Sequence, residues 1–231
     1  MHRISIPDWM AGRAFYNFKS ITPRSTALLS IDMQVAFVEP GQPFAMAHAG
    51  EVAVNTNRII DALRKAGGTI AFTRHTVADD GPEAKPAFQQ EVPAWHLGAE
   101  VFRPGLRGHG VDGRMDCRPG DIVVDKFHMS AFIHHSSDLH ARLQARGIDT
   151  LIVTGVATNV CCESTARDGS MLNYKVFFIS DATATLTDEE HNATLLNVGA
   201  IFGDVRSTES MLALLQAANT ACTAPGMAVA G

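Results

Sequence analysis

The sequence has little of what marks several large classes of protein. Only 19% of its 231 residues are charged, and 19 Lys and Arg against 24 Asp and Glu leave a formal net charge of −5. Proteins that bind nucleic acid non-specifically need basic residues to neutralise phosphates, so this balance, without any Lys/Arg run, argues against a nucleic-acid partner. The four cysteines are too few and too unevenly spaced to form a disulfide framework.

Long apolar runs are also missing. The longest, such as 27–31 and 150–156, are far shorter than the roughly 20 residues with which a helix crosses a membrane. The first twenty residues contain no uninterrupted apolar segment of signal-peptide length. We therefore expect no membrane partner and a cytoplasmic location.

Short apolar runs alternate with helical patterns along most of the chain. Strand-like runs occur at 27–32, 69–73, 121–125, 150–155 and 175–180. Apolar residues at helical spacing occur at 52–66, 138–146, 160–172, 189–201 and 207–217. This alternation predicts an α/β fold: a three-layer, Rossmann-like domain with a parallel sheet of about six strands between layers of helices.

The length suits one such domain rather than two small ones. We predict that the domain spans residues 26–217. An N-terminal arm at 1–25 precedes it, and a flexible tail at 218–231 follows it.

The stretch 77–121 interrupts the alternation with five prolines and several glycines. A loop of this length is uncommon inside a compact domain and often acts as a functional lid. The residues there and nearby that are able to bind a carbonyl group or a carboxylate are Gln34, His75, Gln89, Gln90, Trp95, Arg103 and Arg107. Any of them could equally be a solvated loop side chain. An arginine in the pocket would indicate a carboxylated substrate, and its absence would favour an uncharged one.

Three reactive side chains follow predicted strands, the place where ligands bind in open parallel sheets. Asp32 ends the first strand, Lys126 follows the third, and Cys161 opens the helix after the fourth. A helix start favours a thiolate and offers N–H groups to an oxyanion, so Cys161 is a candidate nucleophile. Asp32 is a candidate base, and Lys126 would stabilise both negative charges. The alternatives are a buried cysteine, a turn-capping aspartate and a surface lysine paired with Asp125.

Three segments carry a resemblance to a known family. They are 27–37 (ALLSIDMQVAF), 125–132 (DKFHMSAF) and 154–168 (TGVATNVCCESTARD). In this order, and over roughly residues 25–216, the chain resembles the isochorismatase-like cysteine hydrolases.

The resemblance implies a role for each matching residue. Asp32, Lys126 and Cys161 correspond to the catalytic residues, and the backbone N–H groups of Ala157 and Cys161 to the oxyanion hole. It also implies a cis peptide bond between Val156 and Ala157.

The same resemblance implies substrate and assembly. The segment around Cys161 is most similar to enzymes acting on ureido and carbamoyl compounds: ureidoacrylate amidohydrolases, biuret and triuret hydrolases, and N-carbamoylsarcosine amidase. We therefore expect a small ureide or carbamoyl amide to be cleaved through a thioester, with release of ammonia or carbamate. Phe37 and Gln34 are the expected substrate-binding residues. A homo-oligomer, dimer or tetramer, is also implied.

Other branches of the family are less well matched. True isochorismatases cleave a vinyl ether without needing a cysteine, so the presence of Cys161 disfavours that activity. Nicotinamidases carry a metal site with an Asp-x-His motif, but the one such motif here, 138–140, lies after Lys126 and so in the wrong place. His134 and His135 fit a solvated helix start, and we expect neither metal nor cofactor. Hydrolysis of a maleamate- or nicotinamide-like amide, or ligand binding without turnover, are the alternatives.

Overall fold

The structure is a computed structural model that describes residues 1–5, 16–78 and 99–223. Three of the predicted specificity residues, Gln89, Gln90 and Trp95, lie outside the described residues, as does the end of the chain from residue 224. No helix in the described ranges is long and apolar enough to cross a membrane.

Six strands of the described chain form one parallel sheet. They are β1 (Thr26–Ile31), β2 (Thr69–His75), β3 (Ile122–Lys126), β4 (Thr150–Val156), β5 (Lys175–Ala184) and β6 (Asp204–Arg206). Their order across the sheet is β3-β2-β1-β4-β5-β6. This is the Rossmann order, in which the chain winds outward in both directions from β1 and leaves a binding crevice at the carboxyl ends of β1 and β4. The predicted fold class is confirmed.

Helices pack on both faces of the sheet. They are α1 (Val35–Val38), α2 (Ala49–Lys65), α3 (Leu139–Gln144), α4 (Glu163–Met171), α5 (Asp188–Asn197) and α6 (Thr208–Thr223). One apolar core unites α2 and α6 with one face of the sheet, and a second unites α3, α4 and α5 with the other. Both faces of β1 and β4 are therefore buried, which explains why these strands read as continuous apolar runs.

Two elements and one helix end differ from the prediction. The sequence did not locate α1 or β6, because four and three residues are too short to show a helical or strand period. Helix α6 continues to Thr223 rather than ending at Ala217. The nearest helix-breaking residue in the sequence is Pro225, so nothing local ends the helix earlier.

The beginning of the chain packs against the last third of the fold. The His2 ring stacks on that of His191 with 4.5 Å between the centroids, and its Nδ1 lies 2.8 Å from Oδ1 of Asp188. The backbone N–H of Phe18 donates to Oδ2 of Asp204 at 2.8 Å. These described parts of the predicted arm are therefore held against α5 and β6.

Gly155 allows β1 and β4 to approach closely beside the crevice. Its φ is +113°, and a Cβ at this position would lie 2.0 Å from the carbonyl oxygen of Ile31. We expect Gly155→Ala to lower the free energy of unfolding by about 3 kcal/mol or more, because two paired backbones cannot move apart cheaply. Urea denaturation measures the effect. Gly113→Ala is the control, since a Cβ there meets nothing within 4 Å. Equal stability of the two variants would contradict the assignment.

Candidate active site

The carboxyl ends of the central strands bring three predicted residues together. Lys126 Nζ lies 2.8 Å from Oδ2 of Asp32 and 3.3 Å from Sγ of Cys161. It also donates to the carbonyl oxygen of His128 at 3.0 Å. The ammonium group thus has an ion pair with Asp32 and hydrogen bonds to Cys161 and His128. Asp32 and Lys126 are fully buried, and Cys161 is 5% exposed.

Thr73 on β2 fixes the carboxylate of Asp32. Asp32 has a left-handed backbone with φ +49°, a region in which aspartate is enriched among non-glycine residues. The Thr73 hydroxyl donates to Asp32 Oδ1 at 2.6 Å and accepts from the Asp32 backbone N–H at 3.1 Å. Because Lys126 binds the other oxygen, both oxygens of the carboxylate are held in place.

The thiol of Cys161 is neutral in the resting protein. Burial raises the pKa of Cys161 to about 12, with the Asp32 carboxylate adding to the rise and Lys126 opposing it. The direction of this shift is opposite to the one expected at a helix start, because loss of water disfavours the charged thiolate. Burial alone would lower the pKa of Lys126, but Asp32 and Cys161 outweigh it and raise that pKa, so the ammonium stays charged. Lys126 contacts both the Cys161 thiol and the Asp32 carboxylate, so the two groups lie on the same ammonium group.

The two neighbouring cysteines face different surroundings. A π-helical turn, Thr158–Cys162, precedes α4, and such turns are frequent at functional sites. Cys161 lines a cavity, whereas Cys162 is fully buried in the apolar core under α3, α4 and α5. The geometry thus presents Cys161, and not Cys162, to a ligand.

The predicted cis peptide bond between Val156 and Ala157 is present.

A cavity of about 310 Å³ opens beside Cys161. Its described lining residues are Phe37, Pro43, Phe44, Ala45, Met46, His75, Met129, Ala157, Asn159, Val160, Cys161, Thr185, Leu186 and Glu190. Phe37, a predicted substrate-binding residue, lines this cavity, with its ring centroid 4.8 Å from that of Phe102. Another cavity, of about 380 Å³ between Lys19 and Leu214, lies near the amino ends of the strands and away from this site.

Gln34 holds backbone instead of lining the cavity. It is fully buried, and its amide donates to the carbonyl oxygens of His75 and His109 at 3.1 and 3.0 Å. Its own carbonyl accepts the His75 N–H at 2.7 Å. Both amide hydrogens are therefore already donated, and substrate binding by Gln34 stays a prediction. The observed effect of Gln34 is to fix His75 in the cavity wall.

Of the other predicted specificity residues that the structure describes, His75 lines the cavity, and Arg103 and Arg107 do not. Burial lowers the pKa of His75 well below its usual value, and Lys126 lowers it further, so this cavity residue is a neutral imidazole. Arg103 pairs with Glu100, and Arg107 lies 2.5 Å from Glu39. Neither arginine belongs to the described cavity wall.

Thr73 and Glu190 are two of the site residues that the sequence did not indicate. Thr73 reads as an ordinary β-branched strand residue, and nothing local indicates that it holds a carboxylate. Glu190 belongs to a capping box with Thr187, a pattern that predicts a helix start but not a cavity wall. Only the spatial neighbours of these two residues reveal their place in the site.

Within the described ranges, no group of three or more His, Cys, Asp or Glu side chains could hold a metal ion. Both side chains of the Asp-x-His motif, Asp138 and His140, have hydrogen-bond partners within the protein. His140 Nδ1 lies 2.9 Å from the Tyr174 hydroxyl, and Asp138 accepts from Arg142 at 2.8 Å. This motif therefore serves to join α3 to its surroundings.

A buried Asp–Lys–Cys set beside a small cavity, at the carboxyl ends of a Rossmann-type sheet, is an arrangement suited to hydrolysis through a cysteine nucleophile. The chain belongs to the isochorismatase family, whose domain model, the isochorismatase domain, matches residues 26–210. It is therefore a hydrolase of that family, and the resemblance carried by the three motifs is confirmed.

Similar proteins cover most of the chain. An uncharacterized isochorismatase family protein, YwoC of Bacillus subtilis, is 36% identical over 196 residues, which is 85% of this chain and 97% of the relative. The ureidoacrylate amidohydrolase RutB of Pseudomonas savastanoi pv. phaseolicola is 33% identical and covers 89% of this chain and 91% of its own length. The crystal structure of a cysteine hydrolase from Pseudomonas syringae pv. phaseolicola superposes with a TM-score of 0.78 at 28% identity, covering 86% and 95% of the two chains.

The buried ion pair makes a prediction about stability. Lys126→Met leaves the Asp32 carboxylate buried without its cation, so we expect the free energy of unfolding to fall by about 3–5 kcal/mol. The double variant with Asp32→Asn restores most of that loss. Chemical denaturation measures both effects.

An exposed pair with the same geometry is the control. Lys65 Nζ lies 2.7 Å from Oδ2 of Asp61, but the two side chains are 73% and 54% exposed. We expect Lys65→Met to change stability by less than about 1 kcal/mol. A loss in Lys126→Met no larger than in Lys65→Met would show that the buried pair is not coupled.

Proposed function

We propose that this protein hydrolyses a carbon–nitrogen bond of a small ureide or carbamoyl amide, with Cys161 as the nucleophile and release of ammonia or carbamate. The observation that carries the proposal is the position of Lys126 Nζ, in contact with both Asp32 and Cys161 beside the cavity. The relatives named ureidoacrylate amidohydrolase support amide chemistry. Assembly into a dimer or tetramer and a cytoplasmic location stay predictions.

The first half of the reaction forms a thioester. Asp32 takes the thiol proton as Sγ of Cys161 bonds to the substrate carbonyl carbon, and the C=O electron pair moves onto oxygen. Backbone N–H groups of Ala157 and Cys161 are the proposed donors to this oxyanion. The C=O bond then re-forms, the C–N bond breaks, and the departing ammonia or amine takes the proton from Asp32.

The second half uses one water molecule. Asp32 accepts a proton from water while the oxygen attacks the thioester carbonyl, and the C–S bond breaks. Cys161 regains its proton, and the acid is released, so the net change is amide plus water to acid plus ammonia or amine. Lys126 remains in contact with both groups throughout. Its charge therefore stabilises Asp32 whenever that side chain is a carboxylate, and the proposed backbone donors stabilise the charge while it is on the substrate oxygen.

Ammonia release from a substrate panel tests the proposal. The panel contains biuret, triuret, a ureidoacrylate analogue, N-carbamoylsarcosine, nicotinamide and maleamate. We expect turnover of a ureide that falls by at least about a thousandfold in Cys161→Ala, since the nucleophile is lost. Cys162→Ala is the matched control and keeps activity, because Cys162 lies in the core and not in the cavity wall.

Each other outcome of the panel points to a different conclusion. Turnover that survives in Cys161→Ala contradicts the nucleophile assignment. Exclusive turnover of maleamate or nicotinamide replaces the ureide by another small amide. Binding of a panel member with no ammonia release by the parent protein would indicate a ligand-binding protein.

Thr73 provides a separate test of the base. Thr73→Val removes the hydroxyl that orients Asp32, so we expect kcat to fall about tenfold or more while KM stays nearly constant. Thr73→Ser keeps the hydroxyl and should recover most of the activity. Steady-state kinetics on the substrate found above measures both variants. Equal kcat for Thr73→Val and the parent protein would show that this hydrogen bond does not position the base.

A further inference from the structure

We propose that the cavity accepts uncharged amides with an apolar substituent and discriminates against amides that carry a carboxylate, with Glu190 as the residue that sets this selectivity. The inference rests on the proposed amide hydrolysis and adds the charge class of the substrate. It concerns the wall of the cavity and not the Asp32–Lys126–Cys161 set.

Glu190 gives the cavity a fixed negative charge. Its side chain contributes to the cavity wall, and its Oε2 accepts from the backbone N–H and the hydroxyl of Thr187 at 3.2 Å each. The capping box of α5 therefore holds the carboxylate beside the cavity, where the side chain is partly exposed.

No described residue of the wall offsets this charge. The wall contains neither lysine nor arginine among the described residues, and its other titratable members, His75 and Cys161, are neutral. Lys126 lies behind Cys161 and is neutralised by Asp32. Of the two stretches before residue 224 that the structure does not describe, 79–98 contains no arginine and one lysine, Lys85, and 6–15 contains one arginine, Arg13.

The apolar part of the wall strengthens the effect of Glu190. Rings and aliphatic side chains face the space beside Cys161, among them Phe37, Phe44, Met46, Met129 and Leu186. A substrate carboxylate would lose its water against these groups without gaining a cation. Repulsion between like charges is also greater where apolar walls lower the local dielectric. An uncharged, partly apolar amide meets neither penalty.

The inference separates this chain from relatives of known name. Ureidoacrylate, the compound in the names of several relatives, carries a carboxylate next to its ureide. An arginine in the pocket was the sequence feature expected for such a substrate, and Arg103 and Arg107 pair with Glu100 and Glu39 instead.

Two alkylating reagents that differ in charge test the inference without a known substrate. Iodoacetamide is a neutral amide, and iodoacetate is the corresponding carboxylate. The alkylation rate of Cys161 by each reagent is measured by mass spectrometry of the peptide that contains Cys161. Each rate is then divided by the rate at which the same reagent alkylates an uncharged cysteine amide in solution. We expect the corrected ratio to favour iodoacetamide by about tenfold or more.

Two charge-removing variants identify the residue responsible. Glu190→Gln keeps a side chain that can serve in the capping box, and it should lower the corrected ratio severalfold. Glu189→Gln removes the same charge from an exposed position on the same helical turn and should leave the ratio unchanged. A corrected ratio near one, or a ratio equal in Glu190→Gln and Glu189→Gln, overturns the inference.

Binding to Cys161→Ala gives a second measurement that does not depend on thiol reactivity. Propylurea and 3-ureidopropionate share a three-carbon chain that ends in a methyl group or in a carboxylate. Ligand-observed NMR should show tighter binding of propylurea. Tighter binding of 3-ureidopropionate, or binding of neither compound at millimolar concentration, overturns the inference. Failure of the proposed function is recognised separately, by ammonia release that persists in Cys161→Ala.

Discussion

The buried ammonium group of Lys126 is the constraint on which the site depends. A charge with no exposure to water must be surrounded by acceptors, and here these are Asp32, Cys161 and the carbonyl of His128. The three elements that supply them are far apart in the chain. The strand order β3-β2-β1-β4 brings their carboxyl ends to one edge of the sheet. The topology therefore supplies the acceptors that make burial of Lys126 possible.

The same burial decides the chemical state of the thiol. A helix start favours a thiolate, but loss of water around Cys161 raises the pKa of its thiol to about 12. The negative charge of the resting site therefore lies on the Asp32 carboxylate, which contacts Thr73 and Lys126. In the proposed reaction the negative charge moves from Asp32 to the substrate oxygen and back again, so the site keeps its net charge throughout.

The proposed catalytic residues and the cavity wall contribute different properties to the proposed reaction. Asp32, Lys126 and Cys161 would set the reaction type and not the substrate. Selectivity depends on what surrounds the thiol, here apolar side chains and the single carboxylate of Glu190 among the described residues. A wall of this kind would direct a shared mechanism toward uncharged amides.

The sequence by itself determined the fold class, the positions of the long strands and helices, and Asp32, Lys126 and Cys161. It could do so because buried strands are continuous apolar runs and the three motifs are contiguous. Only the tertiary structure decided what the side chains touch. Gln34, for example, binds backbone carbonyl groups of residues 41 and 75 positions further along the chain. Thr73 and Glu190 entered the site for the same reason: a side chain's partners are set by packing between distant segments, which no local pattern records.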